Sequence, residues 1–123
     1  MGYSLDFTIE ALPDTQVAAG KGHWRSRQAE TKRWHKRVAQ MVLASGRPVQ
    51  PLSQARVRFE RHSTTEPDFD NLVASFKSVR DGLVEARVLE DDKPAILRFS
   101  EYQWHKAKRG EGRIRVVVHE VTE

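Results

Sequence analysis

Along Tyr3–Ala11, Leu5, Phe7, Ile9 and Ala11 alternate with Asp6, Thr8 and Glu10. A period of two lines up apolar side chains on one side of an extended chain, which predicts a half-buried strand. Leu12–Gly22 carries Pro13, Gly20 and Gly22 and predicts a loop. From Ser26 to Ser45, Trp34, Val38, Met41 and Val42 recur at helical spacing, with Ser26 as the expected N-cap, Gly46 as the stop and Pro48 just beyond. Ala55, Val57 and Phe59 alternate with Arg56, Arg58 and Glu60 in a second strand, which Ser63-Thr64-Thr65-Glu66-Pro67 interrupts.

A second helix is expected from Asp70 to Ala86, because Leu72, Phe76, Val79 and Leu83 lie along one stripe. After a turn at Asp91-Asp92-Lys93-Pro94, Ile96–Trp104 reads as a long strand. Lys106–Gly112 reads as a basic loop, and Arg113–Val121 as a last strand with Ile114, Val116 and Val118 on one face. The short loop between the last two strands predicts an antiparallel hairpin. The order β-α-β-α-β-β predicts a single α+β domain over residues 1–123, with two helices packed on a mainly antiparallel or mixed sheet.

Composition adds constraints to that outline. With 123 residues, of which 38% are hydrophobic and 31% charged, the chain has room for one thin core, or for a core completed by dimerisation. Cysteine is absent, so disulfides and thiolate metal sites are excluded. No apolar run approaches the ~18 residues of a membrane span. Met1–Glu10 lacks a basic region followed by an apolar stretch. A soluble cytoplasmic protein without a membrane partner is the expectation.

The net charge of +4 is unevenly distributed. Residues 21–65 carry eleven Lys/Arg against Glu30 and Glu60, whereas residues 66–92 carry eight acids against Lys77, Arg80 and Arg87. Basic side chains can hold a phosphate backbone by displacing counterions, and carboxylates can hold a metal at a phosphodiester. An unevenly charged solvated surface has the same composition.

Two acidic segments carry candidate chemistry. In an extended Asp68-Phe69-Asp70-Asn71, side chains alternate, so Asp68 and Asp70 would point the same way and Phe69 toward the core. Such a pair suits Mg²⁺, which takes one or two carboxylates and keeps several waters. The alternative is that Asp70 caps the helix and Asp68 stands in solvent. Leu89-Glu90-Asp91-Asp92 crowds three acids, which a cation would relieve, or forms an acidic turn before Pro94. A straight helix over 70–86 is about 24 Å long, so the two acidic ends meet only if the chain folds back along it.

Pro67-Asp68-Phe69-Asp70-Asn71-Leu72, then Lys77, then Asp81-Gly82-Leu83, then Val88-Leu89-Glu90-Asp91-Asp92 resembles the signature of the RusA endodeoxyribonucleases. That family's pattern is Asp-x-Asp-Asn, a helix carrying Lys and Asp-x-Leu, and a closing Asp-Asp. The resemblance implies a Mg²⁺-dependent endonuclease, with Mn²⁺ as a substitute, that resolves four-way junctions and other branched DNA as a homodimer. It implies a bacterial or prophage origin. Asp68, Asp70 and Asp92 would be the metal-binding and catalytic carboxylates, with Asp91 as a further ligand and Lys77 as the catalytic lysine. The family lysine stands four residues after the second aspartate, where this chain has Ala74. Lys77 stands seven after it and returns near the same helix face. It also has the i, i+4 spacing to pair with Asp81. Where the family has a Pro-Pro-Ser-x-Asn loop, this chain has Leu12-Pro13-Asp14-Thr15-Gln16. The displaced lysine admits a second reading, a branched-DNA-binding protein impaired in catalysis. A third is an RNA-processing nuclease using the same metal chemistry.

Two basic segments are candidates for nucleic-acid contact. Lys21, Arg25, Arg27, Lys32 and Lys36 cluster around the first helix, with Trp24 placed to stack on an exposed base and Trp34 on the apolar stripe. Lys106, Lys108 and Arg109 form the second, in the last loop. None of the five histidines has metal-ligand spacing to another, so they are expected at the surface or on phosphates.

Overall fold

A computed structural model describes residues 2–14 and 24–122. Seven elements follow in order: β1 (Ser4–Ile9), α1 (Trp24–Ser45), β2 (Ala55–Ser63), α2 (Phe69–Ser75), α3 (Lys77–Glu85), β3 (Leu97–Lys106) and β4 (Arg113–Glu120). The predicted α+β class holds. The strands form one mixed sheet in the order β1-β4-β2-β3, with the helices packed against it. No helix among the described residues is long and apolar enough to cross a membrane.

The sheet departs from the expected hairpin. β3 pairs in parallel with β2, and β4 lies on the other side of β2, antiparallel to both β2 and β1. A parallel β2–β3 pair joined through helices is a βαβ crossover. The loop from β3 to β4 passes the end of β2, where the Ala107 amide donates to the Ser63 carbonyl. Crossing one intervening strand takes about 10 Å at a strand spacing of ~4.8 Å, which a short loop reaches easily. Loop length therefore did not require the two strands to be neighbours. Burial fits the observed order: β2 is buried along most of its length, and β3, largely exposed, is an edge strand.

The apolar alternation dictates what the helices cover. Leu5, Phe7 and Ile9 of β1, Val57 and Phe59 of β2, and Ile114, Val116 and Val118 of β4 are buried with Trp34, Val38 and Val42 of α1 and with Phe76, Val79 and Leu83. Phe59 sits at the centre, 5.1 Å from the Phe76 ring and stacked on Tyr102 at 5.0 Å. Trp34 is fully buried, and its indole N–H donates to Glu30. α1 already runs from Trp24, so Ser26 lies inside the helix and is not its cap. Gly46 ends it as expected, at φ 96° with its N–H on the Val42 carbonyl. A Cβ on Gly82 would stand 3.1 Å from Val38 Cβ, so a glycine here lets α3 approach α1 closely.

The expected single helix over 70–86 is two. At Phe76 the backbone leaves helical geometry (φ −94°, ψ 4°). Ser75 Oγ donates back to the Leu72 carbonyl, and the Arg80 guanidinium takes the Val73 carbonyl. Both bonds satisfy carbonyls at the interruption. α3 ends in a Schellman motif: Arg87 N–H bonds to Val84 O, Val88 N–H to Leu83 O, and Arg87 adopts φ 66°. The left-handed residue turns the chain back, and Leu89 then forms a parallel bridge with Leu52.

Candidate functional site

Asp68 is the N-cap of α2: its Oδ1 accepts the Asn71 N–H at 2.9 Å and its Oδ2 accepts from Asn71 Nδ2 at 3.3 Å. The capping role expected of Asp70 thus falls to Asp68, and Asp70 occupies the first turn, exposed, where a negative charge suits the helix dipole. Because the helix already begins at Phe69, the extended alternation fails, and Phe69 is 67% exposed instead of turning inward.

After the turn at Arg87 the second acidic segment follows the bridge of Leu89 with Leu52, whose carbonyl accepts the Glu90 N–H. Burial raises the Tyr102 hydroxyl pKa; the Arg80 hydrogen bond opposes this, and the negative charge of Asp92 adds to it. Arg80 donates both to the Tyr102 hydroxyl on β3 and to the Val73 carbonyl on α2, each at 3.0 Å. Val73 lies one helical turn after Asp70. Asp91 accepts the Asp92 N–H at 2.7 Å, and that bond, with the charge of Lys93, holds its carboxyl below the usual range. No three of Asp68, Asp70, Asp91 and Asp92 have ligand atoms mutually within 4.8 Å.

Lys77 opens α3 and is exposed, with its Nζ 3.7 Å from Asp81 Oδ2, the i, i+4 pair that its spacing allows. It lines a groove of about 1010 Å³ between α1 and α3 together with Trp24, Arg27, Lys32 and Lys36. Arg25 places its guanidinium 5.5 Å from the Trp24 ring centroid. Lys21 lies outside the described residues. Lys108 and Arg109 are exposed in the loop between β3 and β4. Lys106 closes β3 and donates to the Thr64 carbonyl, on the segment leading to Asp68.

A second cluster was not expected. On the sheet face without helices, Glu60 and His62 lie two apart on β2, and His105 of β3 is in register with His62. The imidazoles stack at 4.7 Å and 18°, and the ligand atoms of all three residues lie within 4.8 Å of one another. Burial pushes the Glu60 carboxyl up, but hydrogen bonds from Arg58 and His62 and the charges of Arg58 and Arg115 leave it below its ordinary value. A Glu-x-His on a strand signals a shared face. Only the parallel β2–β3 register adds His105, forty-three residues on. Arg80 and Tyr102 also went unremarked in the sequence.

Compared with known proteins, the chain matches no family model and no curated protein sequence.

Proposed function

We propose that the chain is a Mg²⁺-dependent endonuclease of the RusA type acting on branched DNA, four-way junctions foremost. The reading rests on the ordered acidic motif, and the observation that carries it is the return of the chain at Arg87. Beyond that turn Leu89 pairs with Leu52, and Arg80 ties the helix bearing Asp70 to Tyr102 on β3. Oxygen donors that are exposed or half-exposed suit Mg²⁺ or Mn²⁺, which need only one or two direct carboxylates and fill the remaining positions with water. When bound, the ion would lower the pKa of a water and stabilise charge at the scissile phosphate.

The chain's own residues have the other tasks. Asp70 and Asp92 would hold the ion, with Asp68 fixing the start of α2 and Asp91 as a further ligand. Lys77, in the lining of the groove between α1 and α3, would orient a phosphate after release from Asp81. Trp24, Arg27, Lys32 and Lys36 would hold the backbone of an arm along α1. A junction has two symmetry-related scissile strands, so paired incision requires a two-fold dimer.

The Lys77–Asp81 pair favours the second reading, a branched-DNA binder without catalysis. A mobile four-way junction separates the two. Incision in Mg²⁺ and binding without incision in EDTA support the nuclease. Binding with no incision in Mg²⁺ or Mn²⁺ at any protein concentration contradicts it, and preferential cutting of single-stranded RNA points to RNA processing. Asp70→Asn should reduce junction cutting by about 100-fold or more, since the ion loses a charged ligand, with binding kept or tightened.

A further inference from the structure

We propose that Glu60, His62 and His105 form a binding site for a borderline transition-metal dication of the Zn²⁺ class, on the sheet face opposite the helices. This site is independent of the acidic segments. Its donors are imidazole nitrogen and carboxylate oxygen, a set that Zn²⁺, Co²⁺ and Ni²⁺ accept and Mg²⁺ does not favour.

The backbone preorganises it. The i, i+2 spacing puts Glu60 and His62 on one side of β2, and the parallel register sets His105 beside His62. Both Nε2 atoms turn toward the same carboxylate oxygen, Glu60 Oε1, at 3.1 Å from His62 and 3.9 Å from His105. Donors about 2.0–2.1 Å from a tetrahedral ion stand ~3.3 Å apart, so His62 is already near that spacing from Oε1, while His105 must close by about 0.6 Å and the stacked rings must turn for both nitrogens to face one ion. The other oxygen, Oε2, is held by Arg58 at 2.7 Å, with Arg115 at 3.8 Å, which fixes the carboxylate and leaves Oε1 for the ion. The ion must displace two contacts: the hydrogen bond between His62 Nε2 and Glu60 Oε1 at 3.1 Å, with its proton leaving Nε2, and Gln103 Oε1 at 3.0 Å from His105 Nε2.

Glu60 is buried, His62 half-buried and His105 exposed, so the fourth coordination position opens to solvent. Three protein ligands and one open position leave room for water or an anionic oxygen group. The two arginines oppose a dication, and an affinity nearer micromolar than the nanomolar range is expected for that reason. The ion would join edge strand β3 to β2.

Calorimetric titration of the full chain with Zn²⁺, and the visible absorption of the Co²⁺ form, test the site. One equivalent and a tetrahedral Co²⁺ spectrum are expected. His105→Ala, an exposed change on an edge strand, should weaken Zn²⁺ at least tenfold and abolish the spectrum, while Asp70→Asn and Asp92→Asn leave both unchanged. Loss of the one-equivalent binding in a His35→Ala, His119→Ala double variant, or full binding retained in His105→Ala and in His62→Gln, would overturn the proposal.

Discussion

β2 presents two faces to two different environments, one residue apart. Val57 and Phe59 point into the layer under the helices, while Arg58, Glu60 and His62 point to a face that no helix among the described residues covers. Both Phe59 and Glu60 are almost without solvent exposure, yet by different means. Phe59 is buried by apolar neighbours that gain from its presence. Glu60 is enclosed by Arg58, Arg115, His62 and His105, whose charges and hydrogen bonds must offset the desolvation of a carboxylate. Apolar burial sets which elements pack together, and polar burial on the bare face collects groups able to bind.

Removing the centre of the covered face should have the largest effect. Phe59→Ala loses the contacts to Phe76 and Tyr102 and is expected to lower stability by about 3–5 kcal/mol in urea unfolding. A loss below about 1 kcal/mol would contradict the central position given to this ring.

Glu60→Gln tests the bare face, with an expected loss of roughly 1–3 kcal/mol at neutral pH. The folded pKa of Glu60 lies below its ordinary value of 4.5, so its stabilisation is complete above that pH. It fades as pH falls through the lower folded value. The wild type should therefore lose stability on the acid side of about pH 4.5, and Glu60→Gln should show a shallower acid limb. Asp6, also lowered by its Arg115 bond, will keep part of the slope. An unchanged acid limb would mean that the carboxylate gains nothing from its neighbours.

The smallest effect is expected where the chain turns back. Arg87 adopts a left-handed conformation that costs an L-residue about 1 kcal/mol, so Arg87→Gly should raise stability by up to ~1 kcal/mol. Destabilisation on thermal unfolding would show that the Arg87 side chain holds the turn.

Much of this was legible in the sequence. Period-two alternation located β1, β2 and β4, and the helical stripe located α1, because each depends on neighbours close along the chain. The break at Phe76 was hidden, since the apolar stripe continues through it while the Ser75 and Arg80 hydrogen bonds interrupt the backbone. The place of β3 was hidden too, because apolar alternation names a strand's buried side and is silent on its partner. That pairing carries His105 to Glu60 and His62, so histidine spacing alone gave no sign of a cluster. In the acidic segment the residues were visible but their division of labour was not: the cap is Asp68, and Asp70 is the freer carboxylate.

The most direct test of the contrast between the acidic segments and the bare sheet face is the anomalous scattering of crystals soaked in Mn²⁺. A Mn²⁺ peak ligated by Asp70 and Asp92, absent from Asp70→Asn crystals, is the predicted result. Ordered Asp70 and Asp92 carboxylates with no Mn²⁺ between them, at concentrations that support junction cutting, would contradict the assignment of the hard-metal site.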